Sequence, residues 1–178
     1  MFEFGYEESY GYVLAPFVRD KDSLQALLMV AEMTNYYRLQ GKTLDIVYDE
    51  LQQKHGYHSD KLFSIYFEGQ NGKVKMDSIM SGLRENPLKE VAGVKVSYIE
   101  DYKTSKVVNP NNELIRRIEL LPSDMIKYFF EDGSTIAIRP SGTEPKCKFY
   151  YGSVGKSQEE VNTKPDLMHK DIFKILGL

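Results

Sequence analysis

Residues 138–148 read IRPSGTEPKCK, and few short stretches gather so many groups able to hold an anion. Arg139 opens the stretch, Ser141 and Thr143 supply hydroxyl donors, and Lys146 and Lys148 close it. Gly142 allows a positive φ and a close approach of ligand to backbone, and Pro140 stiffens the entry. Successive turned N–H groups form a concavity suited to an anion, and an arginine fork can grip phosphate with two parallel hydrogen bonds. The composition suits a phosphate monoester and offers no general base. Composition alone leaves a second reading open, a tight turn whose hydroxyls satisfy its own backbone.

Other stretches carry less. GSVGKS, residues 152–157, lacks the glycine a P-loop needs five places before Gly155, where Tyr150 stands. His55, His58 and His169 show no metal-ligand grouping and read as surface or helix-end residues. Cys147 alternates with Phe149 and Tyr151, the pattern of a buried structural thiol. The tyrosines and phenylalanines come with no basic stripe, and the formal net charge is −3, so neither nucleic acid nor a membrane surface is the expected partner. No run approaches a membrane span, no signal-peptide pattern opens the chain, and one cysteine points to a reducing, cytoplasmic location.

The elements that position the loop follow from periodicity. Leu24, Leu27, Leu28 and Ala31 mark a helix with Asp20 as N-cap and Gly41 as stop. Ala26, Met29, Val30 and Met33 fill its other faces, which predicts burial on more than one side. Thr43 caps a second helix to about His55, ended by Gly56. Beyond a boundary near Gly56–Tyr57 the texture becomes α+β, with about five strands and two helices and a mainly antiparallel sheet. Strands are expected at Lys61–Gly69, in GVKVSYIEDY and in KCKFYYGS, and Met76, Ile79, Met80 and Leu83 form a helical stripe. Asp132-Gly133 joins two strands as a hairpin, so EDGS at Glu131–Ser134 is a turn rather than a metal triplet. DLMHKDIFKIL closes the chain as a helix with Pro165 near its first turn.

RPSGTEPK strongly resembles the C-terminal phosphate-binding loop of the α-D-phosphohexomutases, the phosphoglucomutases and phosphomannomutases. At the other end FGYEESYGY resembles the sugar-binding loop of that family's third domain, usually Gly-Glu-x-Ser, and RDKD with its helix follows in the family's order. The resemblance implies residues 1–56 as the C-terminal part of the third, α/β domain. It implies residues 57–178 as a fourth domain of TATA-binding-protein-like fold, an antiparallel sheet with helices on one face. It implies Glu7 and Ser9 as ligands of sugar hydroxyls and Arg139, Ser141, Gly142 and Thr143 as ligands of the substrate phosphate. Lys21 is implied as a further substrate contact.

Tyr6 in place of the usual glycine, and Tyr10-Gly11 after the serine, leave glucose, mannose and pentose phosphates open. The YEES form resembles the bacterial glucose-preferring and phosphopentomutase-like branches more than the glucosamine branch. The family's phosphoserine and metal loops are missing from the sequence, so the chain reads as a piece of a longer enzyme. A stand-alone phosphosugar-binding module is the other reading. Alone, the chain is expected to lack mutase turnover, to bind no metal, and to expose apolar surface on its first helix. The longer enzyme would use Mg2+ and a sugar 1,6-bisphosphate, and this chain's partners would be the phosphosugar and the preceding domains.

Overall fold

Apolar periodicity, turn glycines and capping residues divide the chain into two units, Met1–His55 and Gly56–Leu178. The computed structural model describes residues 2, 4–7, 10–67 and 71–178. In the first unit a short hairpin pairs β1 (Gly5–Tyr6) with β2 (Tyr12–Val13), followed by helices α1 (Ser23–Arg38) and α2 (Leu44–His55). The N-cap of α1 is Asp22 rather than Asp20: its carboxylate accepts from the amide of Leu24 at 2.9 Å and from that of Gln25. Asp20 instead accepts from the amide of Lys21. Gly41 takes φ +74° two residues beyond the C-cap Leu39, and Gly56, with φ +90°, follows the end of α2 as expected.

The expected burial of α1 is wrong. None of its residues is buried, and Leu24, Leu27 and Leu28 are 76%, 68% and 63% exposed. The expected exposure of apolar surface there holds. Periodicity records which residues are apolar, whereas burial needs something packed across them.

The second unit contains β3 (Tyr57–Tyr66), α3 (Gly72–Glu85), β4 (Glu90–Val91), β5 (Val94–Asp101), β6 (Lys106–Val108) and β7 (Leu114–Arg117). These are followed by β8 (Ile126–Phe130), β9 (Thr135–Pro140), β10 (Lys146–Gly155) and α4 (Gln158–Leu176). Its sheet runs β3-β10-β9-β8-β5-β6-β7, with β4 paired to β5, and every pairing described is antiparallel. Eight strands replace the expected five. Ile126, Tyr128, Phe130, Ile136, Ile138, Cys147, Phe149 and Tyr151 point to one face. There they share one core with Met76, Met80 and Leu83 of α3 and Met168 and Ile172 of α4. The unit is therefore α+β with both helices on one face of an antiparallel sheet. Arg84, at the end of α3, bridges Asp101 and Asp124 at 3.2 and 2.5 Å and so ties that helix to the edges of β5 and β8.

Two details of α4 depart from expectation. Pro165 sits in the helix interior, because the helix begins earlier: Ser157 caps it by accepting from the amide of Glu160. The proline ring lies buried beside Val161 and Met168, which offsets the hydrogen bond it cannot make. His169 is half-buried rather than on the surface. It stacks on Phe63 with centroids 3.8 Å apart, and its Nδ1 lies 2.8 Å from the Tyr151 hydroxyl.

Burial lowers the pKa of His169 from 6.5; nearby Asp166 opposes this and Lys61 adds to it. The folded state therefore resists a proton that the unfolded chain accepts. The resulting stability is present above the unfolded value and is lost as pH falls through the folded one. Urea unfolding of this unit should show stability falling as pH drops below about 6.5, a fall that His169→Phe reduces. An identical slope in that variant would exclude the histidine as its source.

Among the described residues no helix is long and apolar enough to cross a membrane.

Candidate functional site

β9 ends at Pro140 and β10 begins at Lys146, so the sequence motif becomes the connection between two central strands. The Ser141 amide donates to the Lys146 carbonyl at 2.7 Å and closes the base of the loop. The Ser141 hydroxyl accepts from the amides of Thr143 and Glu144 at 3.4 and 3.3 Å and lies 3.5 Å from the Thr143 hydroxyl. Some of the turn's own polar groups are thus mutually satisfied, as the plain-turn reading requires. Residues 142–145 remain exposed. The loop is also anchored from β3, since the Phe67 amide donates to the Pro145 carbonyl at 2.8 Å.

A cleft of about 300 Å³ lies against this loop, lined by Ser141, Gly142, Thr143, Glu144, Pro145, Met76 and Lys73. Arg139 does not line it. Arg139 alternates with buried Ile138 and therefore projects from the open face of the sheet, directly across from Lys148. Among the described residues the Arg139 guanidinium has no hydrogen-bond or ionic partner, and Lys148 has only the ring of Tyr150 at 5.8 Å. Like charges opposite each other on neighbouring strands oppose sheet formation. An anion placed between them would reverse the sign of that interaction. Lys146 is engaged elsewhere: it donates to the Tyr66 hydroxyl at 2.8 Å, which raises its pKa.

The basic-aromatic grouping that the linear sequence does not reveal is also visible here. Lys127, Arg139, Lys146 and Lys148 share the open face with Tyr66, Phe129 and Tyr150, because alternate residues of four adjacent strands point the same way. Lys73 was equally hidden, since only the tertiary fold brings α3 to the loop.

In the first unit, Glu7 and Lys21 come together. The hairpin places Glu7 beside Gly11, whose carbonyl accepts from the Glu7 amide at 2.9 Å, and Lys21 Nζ lies 3.4 Å from Glu7 Oε1. Gly11 leaves room for these two flexible side chains, which would have to shift for any larger residue. A Cβ at that position would stand 2.6 Å from Glu7 Oε1 and collide with the Lys21 stem. Ser9, and Glu8 beside it, lie outside the described residues.

Cys147 is buried, and burial pushes its thiol up to about 12, so it is no nucleophile near neutral pH. Among the described residues no group of three or more His, Cys, Asp or Glu side chains could hold a metal ion.

Residues 73–168 match the family described as phosphoglucomutase/phosphomannomutase, C-terminal domain, and residues 1–55 match its alpha/beta/alpha domain III. The chain belongs to the phosphoglucomutase/phosphomannomutase family. A phosphoglucomutase of Staphylococcus aureus strain MSSA476 is 41% identical over 165 residues, covering 93% of this chain and 30% of the relative. That of strain MRSA252 is 44% identical over 147 residues, covering 83% and 26%. The chain thus spans less than a third of the length of these relatives. Among solved structures, the open form of pp63/parafusin, a phosphoglucomutase from Paramecium, matches with a TM-score of 0.61 at 19% identity. It covers 96% of this chain and 29% of that one, and supports the fold.

Proposed function

We propose that this chain supplies the sugar and phosphate recognition of a phosphoglucomutase interconverting glucose 1-phosphate and glucose 6-phosphate. The observation that carries the reading is the loop at 139–146. It combines exposed turn residues and hydroxyls with a guanidinium that no described residue neutralises. Ser141, Gly142 and Thr143 would donate to the phosphate that does not react, with Arg139 gripping it from the open face. A site of this kind reads a phosphate whichever carbon bears it, as the interconversion of two positional isomers requires. Its contribution is orientation and exclusion of water rather than bond making.

In the first unit, Glu7 would accept from two sugar hydroxyls, with Lys21 holding its carboxylate in place and able to reach substrate itself. Ser9 is proposed alongside on the family motif. The family resemblance implies Mg2+ and a sugar 1,6-bisphosphate in the longer enzyme. The described residues offer no ligand set for the metal, and the role proposed for this chain involves none. The division near residues 56 and 57, between a sugar-reading and a phosphate-reading part, belongs to the same proposal.

The test is a titration of the labelled chain with glucose 1-phosphate, glucose 6-phosphate and inorganic phosphate, followed by amide chemical shifts. Shifts over residues 139–146 with all three ligands are expected. A loop that responds to the sugar phosphates but ignores inorganic phosphate would contradict the assignment.

A further inference from the structure

Arg139 projects from the open face of the sheet where the loop begins, and a second cation stands on the helix side of the same loop. Lys73 lies in the first turn of α3, one turn before Met76, and both line the cleft against Ser141–Pro145. Residues three apart share a helix face, and Met76 is buried in the core, so Lys73 is held on a firmly seated helix rather than on a mobile loop.

Lys73 is exposed, and among the described residues its ammonium has neither a hydrogen bond nor a salt bridge. Its neighbour Lys75, by contrast, lies over the Phe67 ring at 5.9 Å. The placement is electrostatically unfavourable in isolation. A cation at a helix start opposes the macrodipole, and this turn contains no acidic residue to compensate. Glu144 shares the cleft but is not within ion-pairing distance. An ammonium that no described residue neutralises therefore shares a cleft of about 300 Å³ with Ser141 and Thr143.

We propose that Lys73 is a second cationic ligand of the phosphate held by this loop, approaching from the helix side while Arg139 approaches from the open sheet face. This rests on the phosphate reading of the loop. The phosphate is then clasped between two cations on opposite sides, which favours a dianionic monoester over a singly charged ligand. Lys73 makes no bond to a reacting atom; its role is to bind and orient.

The experiment is the titration of the labelled chain with inorganic phosphate and with glucose 6-phosphate, in the wild type, Lys73→Met and Lys73→Arg. Methionine keeps the apolar stem and removes the charge. Lys73→Met should raise Kd for both ligands roughly tenfold, with its thermal midpoint unchanged or slightly higher, and Lys73→Arg should restore most of the affinity. If Lys73→Met binds phosphate as the wild type does while the loop amides still shift, the inference falls and the loop reading stands. A loss confined to glucose 6-phosphate would assign Lys73 to the sugar and also overturn it. Wild-type loop amides that respond to neither ligand would remove the loop reading and the inference together.

Discussion

Arg139→Ala in the longer enzyme is expected to lower kcat/KM for sugar phosphate by roughly 30-fold, about 2 kcal/mol, the range of a lost charge-assisted hydrogen-bond pair. The same change should leave the thermal midpoint of this chain unchanged or slightly higher. The two expectations share one cause. Arg139 faces Lys148 across β9 and β10, and no described carboxylate separates them. Removing one of two opposed like charges relieves the sheet. A fall in activity with unaltered stability would show that the guanidinium is retained for a ligand. Arg139→Lys should recover only part of the loss, because an ammonium cannot reproduce the two-pronged grip. An unchanged kcat/KM in Arg139→Ala would end the phosphate assignment of the loop. A lowered midpoint would show that the side chain contributes to the fold in a way the structure does not contain.

What was legible in the sequence was mostly local. Asp132-Gly133 marks the β8–β9 hairpin because a tight turn is dictated by the residues within it, and Gly133 does adopt φ +85°. The alternation of Cys147, Phe149 and Tyr151, and the stripe of Met76, Met80 and Leu83, are legible because one side of each element is buried in one core. β7 left no such trace. All four of its residues are exposed, and it exists through pairing with β6, helped by Arg116 reaching Glu100 at 2.9 Å. The first half of β3, Tyr57–Asp60, is similarly polar and is ordered by its long register with β10. The anion-holding composition of residues 139–146 was legible, but its surroundings were not. That Lys148 opposes Arg139, and that Lys73 and Ser141 line one cleft, are facts of register and helix placement that spacing along the chain does not encode.

Gly72→Ala is expected to destabilise the second unit by roughly 2 kcal/mol, the middle of the range for forcing one extra methyl into a packed site. Helix propensity alone predicts the opposite sign, since alanine exceeds glycine by about 0.5–1 kcal/mol in a helix interior. The local geometry decides between them. Gly72 is buried, and a Cβ there would collide with the Phe67 carbonyl oxygen, while standing 3.0 Å from the Phe67 carbonyl carbon and 3.2 Å from its Cβ. The nearest obstacle is backbone, which cannot swing aside as a long side chain would. Phe67 is itself a core residue, and its amide holds the Pro145 carbonyl at the end of the β9–β10 loop. Separating α3 from Phe67 should therefore disturb the loop as well as the core. The expected signature is a thermal midpoint lower by roughly 5–10 °C, together with shifted amides at 141–146 before any ligand is added. A variant as stable as the wild type would mean that α3 can move away from β3 without cost. The cleft between Lys73 and the loop would then have no fixed width, and the two-sided grip on phosphate would lose its rigid wall.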